Sequence, residues 1–167
     1  MDNNREFGRT SHQSGFTLME LVIVLLTISI LIKFALPSIS PSNMNLQYEA
    51  NRVLSDIRYT QFLSMTRGQQ YRFVKTAANT YQIVNAAGTA MVMPQGGTTL
   101  TLTNGIIFSS LTNLPNNLLA FGNDGTPYVS SGTSPTSLAS TATITLSTGY
   151  STRNIQISPQ TGYGVLA

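Results

Sequence analysis

Residues 15–36, GFTLMELVIVLLTISILIKFAL, form the most informative stretch of this 167-residue chain. Only two polar residues interrupt the run from Leu21 to Ile32. Residues 16–36 number 21, and a helix of that length spans roughly 31 Å at about 1.5 Å per residue. That length matches the about 30 Å hydrocarbon core of a bilayer. We therefore predict a transmembrane helix over residues 16–36.

The flanks of this segment favour a membrane anchor over two other interpretations. A cleaved secretory signal needs a small-residue site directly after the apolar run, whereas residues 33–37 read KFALP. A buried core helix is less consistent with the unbroken apolar run at residues 21–26. Because Arg5 and Arg9 precede the segment, we expect the N-terminus in the cytoplasm and the chain beyond about residue 40 to be exported.

The composition argues against an enzyme. Hydrophobic residues make up 41% of the chain and charged residues only 9%, which excludes a disordered protein. The chain has no Cys, and its single His, His12, lies in the polar N-terminal stretch. Catalytic triads and zinc sites require His or Cys. We therefore predict no catalytic residues, no metal site and no cofactor.

A second helix is predicted after the anchor. Asn43 or Asn45 is a suitable cap for its start, and Gly68 ends it. Since Pro37 is expected to bend the chain, residues 37–67 are interpreted as an amphipathic continuation of the first helix. Its apolar residues recur at steps of three and four, which is typical of a helix with one buried face. These residues are Leu46, Ala50, Val53, Leu54, Ile57 and Phe62.

After Gly68 the apolar pattern changes to short segments separated by turn residues. The predicted fold class is α+β, with the long N-terminal helix packed on an antiparallel β-sheet or small β-sandwich. Residues 68–167 form its β-rich globular domain, beginning with a hairpin around Ala78-Asn79. The predicted strands are residues 71–74, 81–84, 90–93, 98–102, 106–108, 118–121, 127–129, 142–146 and 154–157.

One motif at the start of the apolar segment carries a specific resemblance. A short charged leader ends in Gly15, Phe16 follows, and Glu20 is the fifth residue after the glycine. Together with Pro37, this pattern resembles the cleavage and methylation motif of type IV pilins and type II secretion pseudopilins. The resemblance implies that residues 1–15 are a leader peptide. It implies cleavage between Gly15 and Phe16 by a prepilin peptidase, and N-methylation of Phe16.

Glu20 is unusual because it lies within an apolar segment. A charged side chain costs up to about 2.5–3.5 kcal/mol at the bilayer centre on insertion scales, and less near the edge, where Glu20 is expected. The resemblance implies that this carboxylate meets the N-terminal amine of a neighbouring subunit during filament assembly. The alternative is an interfacial glutamate satisfied by its own N-terminus or by water.

A weaker resemblance extends beyond the anchor. Residues 54–59 (LSDIRY) and 65–69 (MTRGQ), with residues 119–125 and 155–162, look like the H-type minor pseudopilins of type II secretion. This implies a structural subunit of a secretion pseudopilus or a type IV pilus, with other pilins as partners. It implies a single-pass inner-membrane protein with a periplasmic C-terminal domain. A membrane-anchored domain that never assembles is a further alternative.

Nucleic-acid binding is the main alternative function, because some related minor pilins bind DNA during natural transformation. Those relatives use Arg-rich C-terminal loops, whereas Arg153 is the single basic residue after Lys75 in this chain. The basic residues also have a structural interpretation as a solvated surface, and Arg52 is spaced to pair with Asp56. The candidate DNA contacts are Arg67, Arg72, Lys75 and Arg153.

Overall fold

The computed structural model describes residues 16–35, 41–132 and 134–167, and the chain divides into two compact units between residues 39 and 40. The predicted leader and the predicted bend at Pro37 lie outside the described residues. The first unit contains helix α1, Leu18–Ala35. The second unit contains helix α2, Pro41–Arg67, and the strands.

Helix α2 begins before both of the predicted cap residues. Its first residue is Pro41, so the predicted caps Asn43 and Asn45 lie within the helix and that prediction is wrong. Proline is tolerated in a first turn because its missing N–H has no partner there, and its fixed φ suits the helix. The predicted end is confirmed, since Gly68 follows α2 with a φ of 63°, the left-handed conformation common after helices.

The described part of the second unit forms two antiparallel sheets. In chain order the strands are β1 Tyr71–Lys75, β2 Thr80–Val84, β3 Leu100–Thr101, β4 Ile107–Thr112, β5 Leu118–Phe121, β6 Pro127–Tyr128, β7 Ala142–Ser147, β8 Thr152–Ile157 and β9 Gly164–Leu166. The first sheet has the order β3-β2-β1-β5-β6 and the second the order β4-β7-β8-β9. The predicted α+β class is therefore confirmed.

One strand prediction was wrong, and one strand was not predicted. Residues 90–93 contribute only a single bridge, between Ala90 and Val84. The chain turns back at once, because the Met93 and Gly97 backbones hydrogen-bond at 2.9 Å. Strand β9 was not predicted, since its three residues show no alternation and are defined by pairing with β8.

The buried face of α2 contacts both sheets, namely β1 and β5 of the first and β7, β8 and β9 of the second. Three aromatic rings at the centre of the core, Phe73, Tyr81 and Phe108, lie 4.9–6.2 Å apart between centroids and join the two sheets. The predicted apolar face is confirmed with one exception. Phe62 was predicted on this face but is exposed. Asp56 is buried, although it is not apolar.

Candidate functional site

The first turn of α1 contains the predicted assembly residue. Thr17 precedes the helix, and its side-chain oxygen accepts a hydrogen bond from the Glu20 backbone N–H at 3.2 Å. The spacing Thr-x-x-Glu is a helix-capping signal that the sequence analysis missed. A carboxylate in the first turn also interacts favourably with the helix dipole. Glu20 therefore has a local structural role in addition to any role in assembly.

The described side chains of α1 are exposed on every face. Phe16 is 84% exposed, and the large apolar side chains from there to Ile32 are at least 42% exposed. A helix that is apolar all round requires a non-aqueous environment. Within the described parts of the chain, no helix has the length and apolarity needed to cross a membrane. Gly15, the other half of the predicted cleavage site, lies outside the described residues.

Helix α2 holds two buried carboxylates, and Glu49 is the first. Its Oε1 accepts hydrogen bonds from the Thr103 hydroxyl at 2.6 Å and from Arg52 Nη1 at 3.3 Å, and Oε2 lies 3.2 Å from the same Arg52 atom. Arg52 Nη2 donates to the Thr101 carbonyl at 2.8 Å. The predicted pairing of Arg52 with Asp56 is therefore wrong. Arg52 forms its ion pair one turn earlier along the helix.

The second buried carboxylate is Asp56. It accepts hydrogen bonds from the Tyr81 hydroxyl at 2.6 Å and from Gln95 Nε2 at 3.1 Å. Burial raises the pKa of Asp56, although these two hydrogen bonds oppose the shift. Burial and the neighbouring carboxylate likewise raise the pKa of Tyr81. Among the described residues, no group of three or more His, Cys, Asp or Glu side chains is placed to hold a metal ion.

These two carboxylates attach the segment from Gln95 to Thr103 to the helix. That segment contains β3 and carries no charged side chain of its own. The hydrogen bonds of Glu49 and Asp56 therefore hold an uncharged loop beside α2.

Near the other end of α2, a neutral side chain also attaches the helix to distant segments of the chain. Gln61 Nε2 donates to the Gly125 carbonyl at 2.9 Å and to the Thr161 carbonyl at 2.7 Å. The first carbonyl lies in the turn between β5 and β6, and the second in the turn between β8 and β9. One amide thus joins a turn of each sheet. These turns belong to the C-terminal stretches that carried the weaker sequence resemblance.

The structure separates the candidate DNA contacts. Arg72 and Lys75 lie on β1 of the first sheet, whereas Arg153 lies on β8 of the second. Arg72 Nη2 donates to the Asn85 carbonyl at 2.8 Å, and Arg153 Nε donates to Gln47 Oε1 at 2.8 Å. Arg67 is exposed in the last turn of α2, where a positive charge suits the helix dipole. Two of the four candidates are therefore engaged in contacts within the fold.

Arg58 of α2 is also engaged in contacts within the fold. Its Nη2 donates to the Gly164 carbonyl at 2.8 Å, and its guanidinium lies 5.4 Å from the centre of the Tyr163 ring. Arg52 and Arg58 thus attach α2 to distant backbone.

The arrangement of helix and sheets matches that of a solved minor pilin. The type IV minor pilin FimU of Pseudomonas aeruginosa PAO1 superposes with a TM-score of 0.55 and 14% identity, covering 75% of this chain and 90% of FimU. The fold therefore defines a pilin-like protein.

The family follows from the sequence of the second unit. The family model described as "Type II transport protein GspH" matches residues 49–161, which is more than half of the chain. The chain belongs to the GspH family and is a pilin-like minor pseudopilin, which confirms the predicted resemblance. No curated protein sequence matches it. Proteins of these families are structural subunits.

Proposed function

We propose that this chain is made as a prepilin and is built through its N-terminal helix into a type II secretion pseudopilus or a related type IV pilus. One observation carries the proposal. The processing motif at residues 15–20 lies upstream of the region, residues 49–161, that matches the GspH family. The two signals do not overlap, so they support the proposal independently.

Processing is the first step of the proposed function. A prepilin peptidase cleaves between Gly15 and Phe16 and methylates the new amine. Gly15 has no side chain, so an extended backbone can lie close against the enzyme. Cleavage leaves the Phe16 amine about one helical turn from Glu20, within reach of its carboxylate.

Anchoring is the second step. We propose that residues 16–36 hold the precursor in the inner membrane, with the leader in the cytoplasm and the second unit in the periplasm. The all-round apolar surface of α1 supports insertion into the membrane, and the preceding Arg5 and Arg9 support the orientation. In the filament, Glu20 pairs with the N-terminal amine of a neighbouring subunit.

The decisive experiment is intact-mass analysis of protein extracted from membranes of a host that has a prepilin peptidase. We expect a mature chain that begins at Phe16 and carries one added methyl group. A Gly15→Leu variant should keep its leader, whereas the matched Ser14→Leu variant should still be cleaved. A native chain that still begins at Met1 would overturn the proposal.

Topology has its own test. Alkaline phosphatase fused after Ala167 should be active, because that reporter folds only after export. A well-expressed but inactive fusion would contradict the proposed orientation.

DNA binding is the weaker alternative. The candidate contacts lie on two sheets, and Arg72 and Arg153 already bond within the fold. The alternative would require these guanidinium groups to exchange their partners for phosphates.

A further inference from the structure

A depression on the second unit is not used by the proposed function. It has a volume of about 330 Å³ and is lined by Tyr48, Asn51, Arg52 and Ser55 of α2 and by Gln95 of the following loop. Its volume falls at the lower end of the about 300–1,000 Å³ typical of ligand pockets. None of the processing or assembly residues lines it.

The polar groups of this depression are held in fixed positions. Gln95 donates its amide hydrogens to Asp56, and Asn51 Nδ2 donates to the Gln47 carbonyl at 2.9 Å. Each amide therefore leaves its carbonyl oxygen as the acceptor for a ligand, beside the Ser55 hydroxyl. Because these bonds limit the rotation of both amide side chains, a ligand would order fewer groups on binding.

An aromatic ring completes the lining. Tyr48 is 65% exposed, although a tyrosine ring has a large apolar face. Such a ring beside fixed hydrogen-bond acceptors suits a ligand with one C–H face and several hydroxyl donors.

The charges around the depression favour a neutral ligand. The positive charge of Arg52 is balanced by Glu49 at 3.2 Å, and Asp56 lies behind Gln95. Arg52 contributes the only charge among the lining residues, and its ion pair with Glu49 leaves the depression without a net charge to attract an ion. The loop beside the depression, residues 95–101, reads QGGTTLT and adds hydroxyls without charge.

We propose that this depression binds one sugar ring of a neutral glycan. The ring stacks on Tyr48, and its hydroxyls donate to Asn51 Oδ1 and Gln95 Oε1 and bond to the Ser55 hydroxyl. Every lining residue lies in the second unit, outside the helix α1 through which assembly is proposed.

The test is saturation-transfer NMR followed by titration, with cellohexaose, chitohexaose and mannohexaose as probes. The full chain is kept in lauryldimethylamine oxide, because alkyl glycoside detergents carry a competing sugar. We expect at least one probe to bind. Tyr48→Ala should weaken that binding about tenfold, which corresponds to about 1.4 kcal/mol, and Tyr48→Phe should retain it.

Two control variants distinguish binding at this site from non-specific binding. Met44→Ala removes a similarly exposed apolar side chain one turn earlier on α2, and Tyr150→Ala removes an exposed tyrosine between β7 and β8. Both should bind like the parent chain, and all variants should show the parent urea-unfolding midpoint. The proposal would be overturned if none of the three probes bound, or if Tyr48→Ala bound them as well as the parent chain does. It would also be overturned if a polyuronate bound more tightly than the neutral probes.

Discussion

The two helices carry their acidic residues in opposite environments. On α1, Glu20 is exposed among apolar side chains that are themselves exposed. On α2, Glu49 and Asp56 lie on the buried face, whereas the exposed face of the helix is largely polar. A charge within an apolar run is therefore recognisable from its neighbours in the sequence. A charge on an amphipathic helix gives no such signal.

The cause is the way in which each helix meets its surroundings. Helix α1 is apolar all round, so any ionisable residue there is locally out of place. Helix α2 already contains polar residues, and its buried carboxylates are satisfied by groups from other elements, such as Tyr81 and Thr103. The environment of the acidic residue on α1 is therefore evident from the sequence, whereas that of the acidic residues on α2 is evident only from their tertiary contacts.

The largest expected effect distinguishes the two glutamates. Glu20→Leu should leave the urea-unfolding midpoint unchanged and yet abolish incorporation into sheared filaments. Glu49→Leu should lower the free energy of unfolding by about 3 kcal/mol, since it breaks a buried ion pair with Arg52. Tyrosine fluorescence monitors unfolding, because the chain has no Trp. Normal incorporation of Glu20→Leu would leave Glu20 only its interfacial and capping roles.

The next effect tests how far α2 depends on distant turns. Gly162 and Gly68 have nearly the same φ, 66° and 63°. A Cβ at Gly162 would lie 2.7 Å from Phe121 Cε1 and 2.8 Å from Gln61 Nε2, whereas a Cβ at Gly68 would meet nothing within 4 Å. We expect Gly68→Ala to cost about 1 kcal/mol for backbone strain.

Gly162→Ala should cost roughly 2–3 kcal/mol, because overpacking adds to the same strain. Thermal unfolding monitored by circular dichroism measures the difference. Equal losses for the two variants would show that the turn at Gly162 moves away without affecting α2.

A smaller effect concerns pH. Burial raises the pKa of Asp56 in the fold above the unfolded value of about 3.9. Its contribution to stability is therefore fully present below that value and is lost as pH rises through the folded pKa. We expect Asp56→Asn to remove this loss, so its stability relative to the parent should increase between about pH 4 and neutrality.

Asp124 provides the matched control for this titration. Hydrogen bonds from the Thr126 hydroxyl and N–H lower the pKa of Asp124. Its contribution is therefore present above about pH 3.9 and is lost as pH falls through the folded pKa. Urea unfolding across the pH range should give slopes of opposite sign for Asp56→Asn and Asp124→Asn. Slopes of the same sign would contradict the assignment for Asp56.

The smallest expected effect is DNA binding. Because Arg72 and Arg153 are engaged within the fold, the chain should bind duplex DNA only in the weak non-specific range, about 10⁻⁴ to 10⁻⁶ M. A gel-shift titration near about 150 mM salt measures this affinity. Submicromolar binding that is lost in Arg67→Ala with Arg72→Ala, or in Arg153→Ala, would make DNA uptake the leading function.

Much of the fold was predictable because it depends on local patterns. The two helices, the α+β class and the hairpin joining β1 and β2 follow from apolar periodicity and turn residues. The position of β5, residues 118–121, was predicted to the residue. The resemblance to minor pseudopilins rested on short motifs, and the family match confirms it.

The sequence by itself determined the apolar first helix and the family of the chain, and it contains the motif on which the proposed processing rests. Only the tertiary structure decided that Asp56 is buried against Tyr81 and that Gln61 joins two turns. The physical reason is distance along the chain. A periodic pattern is complete within a few residues, whereas the Tyr81–Asp56 bond spans 25 residues and the Arg58–Gly164 bond spans 106. Such partners meet only once the sheets have packed against α2.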